Sequence, residues 1–408
     1  MRASIVRRAA YPRPAGADRA RLRLLHVFPS FSIGGIQRQF AYVAGALGAT
    51  AEHLVIALDG RTEALAMLPS GVLCDVVDPP SLPEDGPLAR LRSIRSCLRR
   101  TGASLVLTYN WGAIEWCLAN RLFGTAPGLH SEHGFGPDET ERPLRRRSRF
   151  RRLALGGTVP LVVPSTTLMH VATEDWGFPE TQLRFVPNGV DVEAIERRVA
   201  DAAGGVVRRG DEIVLGCVAP LRPEKNLARL LRCFAAVATE DPRWRLVVAG
   251  DGPERGRLEI VAQQLAIRHR VQFLGWVDDP APMLGSVDIA ALSSDTEQAP
   301  FSVLESGATA RPLVATDVGD IRDLVSPGNQ PFVVARDAED DFVAALRRLG
   351  GDAALRRQVG EANRDHVAAN FAAARMVDGF CAAMDEALAR SPDADRSGVV
   401  LRIEPLRT

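Results

Sequence analysis

Residues 213–226 read IVLGCVAPLRPEKN and have the pattern of a strand, a charged turn and the start of a helix. The first six residues form an apolar run that predicts a buried strand, and Asn226 is suited to cap a helix over residues 227–237. Lys225 is the single lysine of a chain that otherwise uses arginine. Such a lysine either survived by chance or supplies a compact charge that a planar guanidinium cannot replace.

The same turn carries a second cation, Arg222, three residues before Lys225. Ligands of α/β sheets bind outside the carboxyl ends of the strands, where strand-to-helix loops lie. Ammonium and guanidinium groups pair well with phosphate oxygens. The spacing therefore predicts that Arg222 and Lys225 form a clamp for a diphosphate.

A second segment contains two glutamates eight residues apart, Glu297 and Glu305, with Pro300 between them. Pro300 suits the start of a helix. The first free amides of that helix would be those of Phe301, Ser302 and Val303. Such amides form an anion site, and carboxylates beside it can accept hydrogen bonds from hydroxyls. This layout matches a nucleotide sugar, although two glutamates alone would more often belong to a solvated helix face.

Composition limits the classes of protein. A chain of 408 residues with 46% hydrophobic content suggests two domains. The formal net charge is zero, so no global field favours nucleic acid. We expect a cytoplasmic protein, because no stretch approaches 18 uninterrupted apolar residues and residues 1–21 lack the apolar core of a signal peptide. The cysteines show no close pairing, which favours reduced thiols over disulfides or a metal site. They are Cys74, Cys97, Cys117, Cys217, Cys233 and Cys381.

Apolar runs alternate with amphipathic helical patterns along the chain, which predicts parallel α/β sheets. The predicted strands of a first domain are 22–28, 54–58, 72–77, 105–108, 129–132, 160–163 and 183–186. Those of a second domain are 213–218, 245–249, 271–274, 289–292, 313–316 and 332–334. The stretch 200–210, rich in Ala, Gly and Arg, is typical of a linker.

Taken in order, these segments resemble the retaining glycosyltransferases of family 4, which have the GT-B fold. The resemblance covers nearly all of residues 22–390. It rests on the segments SIGG (32–35), VPNGVD (186–191), VAGDGP (248–253) and FLGW (273–276), together with the Arg222/Lys225 turn and the Glu297/Glu305 pair. It implies an α/β architecture of two Rossmann-like parallel-sheet domains that face each other across a cleft.

The resemblance also implies a domain plan. An acceptor-binding domain would cover 22–199, the linker 200–210, and a nucleotide-sugar-binding domain 211–372. A helix over 373–390 would cross back to the first domain. Residues 1–21 and 391–408 are expected to be flexible.

Site roles follow from the resemblance. Glu305 would hold ribose hydroxyls, Glu297 would hold hydroxyls of the donor sugar, and Leu274 and Trp276 would border the base. Gly34 and Gly35 would contact the donor diphosphate or sugar, with an ordinary tight turn as the alternative.

The sequence departs from the family pattern at two positions. Pro300 lacks an amide hydrogen where related chains have glycine, and the loop 317–321 has one glycine where two are common.

His130 and His133 flank Glu132 just after a predicted strand. A metal site is one interpretation, but alternation along a strand would place Ser131 and His133 on one face and His130 and Glu132 on the other. One three-ligand site would fit this arrangement poorly. The resemblance implies that His133 lies beside the donor sugar, and we expect His130 to be structural.

Arginines crowd residues 142–152, interleaved with Leu144 and Phe150. The segment is either a solvated helix face or an amphipathic element that touches anionic lipid or a phosphorylated polyprenyl carrier. Asn110 and Trp111, after the fourth strand, could line the same acceptor groove. A buried core tryptophan is an equal alternative for Trp111.

The sequence thus predicts a retaining, metal-independent transfer of a sugar from a nucleotide sugar to a hydroxyl of a glycan or lipid-linked acceptor, in polysaccharide or glycoconjugate biosynthesis. The enzyme would be cytoplasmic, with contact to the inner face of the cell membrane under the second interpretation of the arginine segment. No cofactor, metal or nucleic acid is expected. Two alternative functions remain. One is a UDP-sugar epimerase of the same fold, which would need acid/base carboxylates and would turn over without an acceptor. The other is a non-catalytic two-lobed sugar-binding protein, which would normally be exported.

Overall fold

A computed structural model describes residues 21–83, 86–134, 139, 144–202 and 210–390. The predicted tail 391–408, most of the predicted N-terminal segment and linker, and Arg142 lie outside these residues. The chain divides into two compact units. Within the described ranges, the first unit contains residues 21–187 and 374–390, and the second contains residues 188–373.

The first unit alternates strands and helices, as the sequence predicts. Its elements up to the unit boundary are β1 (Leu22–Phe28), α1 (Gly35–Leu47), β2 (Ala51–Ala57), β3 (Leu73–Val76), α2 (Pro87–Thr101), β4 (Leu105–Tyr109), α3 (Ile114–Phe123), β5 (Gly128–Ser131), α4 (Arg145–Leu155), β6 (Leu161–Val163), α5 (Thr166–Glu174) and β7 (Leu183–Phe185).

The second unit continues the same alternation. Its elements are α6 (Val192–Asp201), β8 (Ile213–Val218), α7 (Leu227–Glu240), β9 (Trp244–Ala249), α8 (Arg255–Gln264), β10 (Val271–Gly275), α9 (Ala281–Ser286), β11 (Ile289–Leu292), α10 (Phe301–Ala308), β12 (Leu313–Thr316), α11 (Ile321–Leu324), β13 (Val333–Val334), α12 (Glu339–Gly351) and α13 (Ala353–Asn370). The final helix, α14 (Ala373–Ala389), begins at the end of this unit.

Both sheets are parallel, as predicted. The first has seven strands in the order β3-β2-β1-β4-β5-β6-β7, and the second has six in the order β10-β9-β8-β11-β12-β13. Every predicted strand is present, and the largest difference is β2, which begins three residues earlier than predicted. Parallel strands need helical crossovers that bury both faces of the sheet, which explains the near-continuous apolar runs.

The helices after β3, β4 and β5 form one layer of the first unit. Helix α3 packs against α2 on one side and α4 on the other. Ile94 and Leu98 of α2 share a buried cluster with Trp116 of α3, while Leu155 of α4 packs with Ile114 in a second cluster. No helix within the described ranges combines the length and apolar character needed to cross a bilayer.

The compact units divide the chain at a different residue from the predicted domain plan. The structure assigns residues 188–202 to the second unit, because α6 packs against α9, α10 and α13. Glu196 of α6 pairs with Arg364 of α13, and Arg198 lies 3.0 Å from Asp279. Helix α14 belongs, from residue 374 onward, to the first unit, where Glu386 pairs with Arg184.

The cysteines of the described residues are free thiols, as predicted. All are buried except Cys74, which is half-buried. Burial raises the pKa of Cys217 and of Cys117 to about 12, so these thiols remain protonated and act as small apolar side chains.

Candidate functional site

Five loops of the second unit form a row along the carboxyl edge of its sheet. They follow β10, β9, β8, β11 and β12, which is the order of these strands in the sheet. Neighbouring loops are joined by backbone hydrogen bonds, which are, in sheet order, Gly250 N to Gly275 O (2.7 Å), Leu221 N to Asp251 O (3.0 Å), Asp295 N to Glu224 O (2.8 Å) and Asp320 N to Gln298 O (2.8 Å). The row is therefore one connected backbone platform.

Two glycines allow the loops to approach so closely. Gly250 has φ 143°, and a Cβ there would lie 1.9 Å from the carbonyl oxygen of Ala219. Gly319 has φ 57°, and its Cβ would lie 2.4 Å from the carbonyl oxygen of Glu297. Both positions need glycine for conformation and for space. The single glycine of the loop 317–321 thus allows this loop to pack directly against the backbone of Glu297 and Gln298.

Lys225 and Glu297 meet directly in this row. The Lys225 Nζ lies 2.7 Å from Glu297 Oε1, and both side chains are largely buried, at 17% and 8% exposed. The Ser294 hydroxyl donates to the same carboxylate oxygen at 2.7 Å. Lys225 and Glu297 were predicted to have separate roles, and the sequence gives no local sign of this ion pair because the two residues are 72 positions apart.

Arg222 is arranged differently from Lys225. Its side chain is 61% exposed, and its nearest carboxylate is that of Glu224 at 4.0 Å. The backbone of Arg222 is extended and begins a short 3-10 turn over 223–225. The predicted clamp therefore has one cation held inside the platform and one that extends into solvent.

The turn is held from beneath by a polar network. Asn226 caps α7 as predicted, accepting a hydrogen bond from the Arg229 amide at 3.3 Å, and its own amide group donates to Asp295. Arg229 is buried, lies 2.8 Å from the Asp295 carboxylate and donates to the Ser293 carbonyl at 2.9 Å. Asn226 adopts a left-handed conformation at φ 41°. These contacts fix the position of Lys225 relative to the loop after β11.

Helix α10 begins as predicted, with Pro300 as its N-cap and Glu305 buried in its second turn. The Val303 amide donates to the Pro300 carbonyl at 3.1 Å. The predicted anion site thus depends chiefly on the amides of Phe301 and Ser302. Asn188 donates to the Ala299 carbonyl at 2.7 Å and so supports the turn that leads into this helix.

Leu274 and Trp276 lie at the β10 end of the row. Their side chains are among the exposed large apolar groups of the unit, with Trp276 51% and Leu274 37% accessible. The Trp276 indole donates to Asp278 at 2.9 Å, which orients the ring. Exposed apolar surface at this end can accept a flat base, while the cationic turn lies two strands away.

In the first unit, Gly34 is the N-cap of α1 and Gly35 its first residue. Gly34 has an extended backbone, and a Cβ there would lie 2.9 Å from Gln37 Oε1. Gln37 in turn donates to the Ser30 carbonyl at 2.8 Å. The glycine therefore makes room for the Gln37 side chain in the loop after β1.

The histidines near β5 lie on opposite faces, as predicted. His133 Nε2 is 2.9 Å from the Ser131 hydroxyl, whereas His130 lies 3.5 Å from Glu132 and 2.8 Å from the Thr108 hydroxyl. Burial, with a smaller contribution from His130, lowers the pKa of His133 to about 3. His133 is therefore a neutral imidazole that can exchange hydrogen bonds with a hydroxyl but carries no charge.

The arginine segment is neither a uniformly solvated face nor a uniformly exposed amphipathic element. Arg151 is 1% exposed, donates to Glu132 and Glu139, and lies 4.1 Å from the ring centroid of Trp176. Burial alone would raise the pKa of Glu139. The hydrogen bonds and positive charge of Arg151 have the larger combined effect, so the pKa of Glu139 lies below its usual value. Trp111 is half-buried, with Arg151 5.0 Å from its ring centroid.

The backbone beside Trp111 is strained. Asn110 has φ 54° and ψ 172°, a conformation that residues other than glycine rarely adopt. Its side-chain oxygen accepts a hydrogen bond from the His133 amide at 2.8 Å. Glu132 accepts one from the Trp111 amide at 3.2 Å. The residues predicted to border an acceptor are thus joined in one cluster at the carboxyl edge of the first sheet.

Comparison with known proteins gives matches in both halves of the chain. The family model described as Glycosyltransferase Family 4 matches residues 33–194, and that described as Glycosyl transferases group 1 matches residues 204–366. A putative glycosyltransferase EpsF of Bacillus subtilis is 27% identical over 253 residues, which cover 58% of this chain and 64% of that protein. An Escherichia coli UDP-Gal:alpha-D-GlcNAc-diphosphoundecaprenol alpha-1,3-galactosyltransferase is 24% identical with the same two coverages. The match thus spans just under two thirds of these relatives.

Solved structures agree with the sheet architecture. Anabaena HepE, crystallised in complex with UDP-glucose, has a TM-score of 0.74 and 16% identity, covering 89% of this chain and 99% of that one. The two parallel sheets and this likeness define a GT-B protein. The chain belongs to glycosyltransferase family 4, the group 1 glycosyl transferases.

Proposed function

We propose that this protein is a retaining, metal-independent glycosyltransferase that moves a sugar from a nucleotide-sugar donor to a hydroxyl of a glycan or lipid-linked acceptor. The observation that carries the proposal is the largely buried Lys225–Glu297 ion pair in the loop row of the second sheet, next to the N-terminus of α10. In such a pair the lysine can bind the phosphates of a nucleotide sugar, and the carboxylate can accept hydrogen bonds from its hydroxyls.

Donor binding follows from the order of the loops. The base would lie against Leu274 and Trp276, and Glu305 would accept hydrogen bonds from the ribose. The diphosphate would meet the amides of Phe301 and Ser302 and the ammonium of Lys225. Glu297 already accepts Lys225 and Ser294 on Oε1, so its Oε2 is the oxygen that a sugar hydroxyl would reach.

The protein would accelerate the transfer by stabilising the leaving group, the nucleoside diphosphate. The bond between the anomeric carbon and the phosphate oxygen breaks, and its electron pair stays on the diphosphate. The acceptor hydroxyl attacks on the same face of the sugar, and a phosphate oxygen takes its proton, which keeps the anomeric configuration. Lys225 is positioned by the platform, and the exposed Arg222 can move onto the outer phosphate oxygens. By analogy with the loss of one oxyanion-hole donor, each cation would contribute about 2.7–4 kcal/mol to stabilising the developing charge.

The names of similar proteins suggest which substrates to test first. HepE was crystallised with UDP-glucose, and the E. coli relative is named for transfer from UDP-galactose to a diphosphoundecaprenol-linked sugar. We therefore propose a UDP-hexose as donor and a carrier-linked sugar as acceptor.

Thermal shift with a panel of nucleotide sugars, followed by transfer to short glycans and to polyprenyl-diphosphate sugars, tests the proposal. We expect one nucleotide sugar to stabilise the protein more than its free nucleotide, and product to form only with an acceptor present. Conversion of the donor to an epimer without acceptor would show the alternative reaction. Ligand binding without release of nucleotide would show a binding protein.

A further inference from the structure

The layer of α2, α3 and α4 is strongly positive, and negative residues elsewhere in the chain balance its charge. These three helices contain twelve arginines and one acidic residue, Glu115, although the formal net charge of the whole chain is zero. Glu115 is paired with Arg90 at 2.7 Å. Because α3 packs against both of its neighbours, the arginines of α2 and α4 belong to one surface.

The other eleven arginines separate into two groups. Arg151 and Arg147 are engaged with Glu139 beneath α4, and Arg121 ties α3 to α4. The exposed group lies along α2 and α4. Its members are Arg92, Arg95, Arg99, Arg100, Arg145, Arg146, Arg149 and Arg152. We call the exposed residues of these three helices the basic helix face.

Each of the three helices also exposes a leucine on this face. Leu88 is 68%, Leu122 53% and Leu153 55% accessible. Leu122 and Leu153 are neighbours, because Arg121, the residue before Leu122, donates to the Leu153 carbonyl at 2.6 Å. Arginines that surround protruding leucines are the pattern of a protein that lies on a membrane surface, with charges at the headgroups and apolar groups at the acyl boundary. A nucleic acid would match the charges but not the leucines.

We propose that the basic helix face docks on an anionic lipid bilayer. The arginines would lie against lipid phosphates, and Leu122 and Leu153 would enter the headgroup region. This inference extends the proposed transfer to a lipid-linked acceptor and rests on it. Helix α4 starts near Glu139 and Trp111, at the edge of the sheet that holds His133. Docking through this face therefore brings the predicted acceptor edge to the membrane plane.

Sedimentation of the full chain with vesicles tests the docking. We expect binding to vesicles of equal parts phosphatidylcholine and phosphatidylglycerol, weaker binding as salt is raised, and none to phosphatidylcholine alone. The variant Arg92→Ser/Arg99→Ser/Arg146→Ser/Arg149→Ser should bind the anionic vesicles at least about tenfold more weakly. Arginine-to-lysine changes at the same four sites should retain binding, since charge is kept. A control with the same charge change, Arg257→Ser/Arg336→Ser/Arg347→Ser/Arg357→Ser in the second unit, should bind as wild type.

A second variant separates a bilayer from other polyanions. Leu122→Ser/Leu153→Ser should weaken vesicle binding while leaving retention on heparin unchanged. Equal vesicle binding by this variant and wild type would overturn the proposal, as would tighter binding of wild type to duplex DNA than to vesicles at the same salt. Donor binding and transfer to a water-soluble acceptor should be unchanged in the arginine variant. Absent transfer by wild type in that assay would remove the proposed function, whereas vesicle binding would still report on the face itself.

Discussion

At the scale of single residues, the two cations of the 222–225 turn differ in freedom. Lys225 is held against Glu297 in a largely buried site, while Arg222 is mostly exposed. Under the proposed function, a compact ammonium would fit between the Glu297 carboxylate and a donor phosphate, whereas a guanidinium is larger and planar. That requirement would explain why a chain that otherwise uses arginine has its one lysine here.

We predict that Lys225→Ala and Arg222→Ala each lower kcat at saturating donor by about 10²–10³-fold, because each removes a cation from the leaving diphosphate. Lys225→Arg should not restore activity, whereas Arg222→Lys should restore part of it. Steady-state kinetics provide the measurement, and Arg336→Ala, on the exposed surface of the second unit, is the control. Near-normal turnover of both alanine variants would remove the clamp from the mechanism.

The two glutamates should separate nucleotide binding from sugar binding. Glu305→Ala is expected to weaken binding of both free UDP and the nucleotide sugar, since it would lose the ribose contact. Glu297→Ala should abolish transfer but leave UDP affinity equal or higher, because Lys225 would no longer be neutralised by a carboxylate. Isothermal calorimetry with UDP compares the two variants. An equal loss of UDP affinity in both would refute the assignment.

At the scale of elements, α4 is fixed by a buried charge rather than by its exposed arginines. Arg151 bridges Glu132 and Glu139 with almost no solvent contact. Arg151→Met should lower the free energy of unfolding by about 3–5 kcal/mol, because the buried Glu132 loses its arginine partner and Glu139 keeps only Arg147. Arg149→Met, on the exposed side of the same helix, should change it by less than about 0.5 kcal/mol. Urea unfolding followed by tryptophan fluorescence measures the free energy of unfolding of both variants. Similar losses for Arg151→Met and Arg149→Met would contradict the role of Arg151 in fixing α4.

The strands β1 and β2 contain a buried histidine pair that should make the fold sensitive to acid. His26 Nε2 lies 3.1 Å from His53 Nδ1, and the Tyr109 hydroxyl is 2.9 Å from His26 Nδ1. Burial lowers the pKa of His53 to about 4, partly opposed by Glu52, and burial together with His53 also lowers the pKa of His26. Both rings are thus neutral in the folded protein at neutral pH.

Between pH 6.5 and about 4, the unfolded chain binds a proton at His53 that the folded chain does not, so stability falls as the pH falls. The loss at the acid end of this window is about 3 kcal/mol for His53. The variant His53→Leu should show a shallower decline of stability over this window, and His170→Gln on the surface of α5 should match wild type. Urea titrations at several pH values measure the slopes. Parallel slopes for His53→Leu and wild type would show that the pair does not titrate as inferred.

At the scale of the whole molecule, local patterns predicted the sheets but not the contacts between distant segments. Apolar runs located all strands because parallel strands buried on both faces are hydrophobic along their length. The contact-based division falls at residue 188 rather than near 200, because α6 packs on α13 through long-range contacts, although the sequence after α6 is Ala- and Gly-rich and resembles a linker. The Lys225–Glu297 pair and the burial of Arg151 were missed for the same reason. Charged residues give no local sign of being buried, and their partners come from other elements.

The proposed mechanism retains the anomeric configuration without a metal, with Lys225 and the N-terminus of α10 stabilising the departing diphosphate. NMR of the glycoside formed from a UDP-hexose, with and without EDTA, tests both parts of this mechanism in one experiment. We predict that the anomeric configuration of the donor is kept and that turnover in EDTA equals turnover without it, since protein cations and amides neutralise the diphosphate. An inverted product, or turnover that is lost in EDTA and restored by a divalent cation, would contradict it.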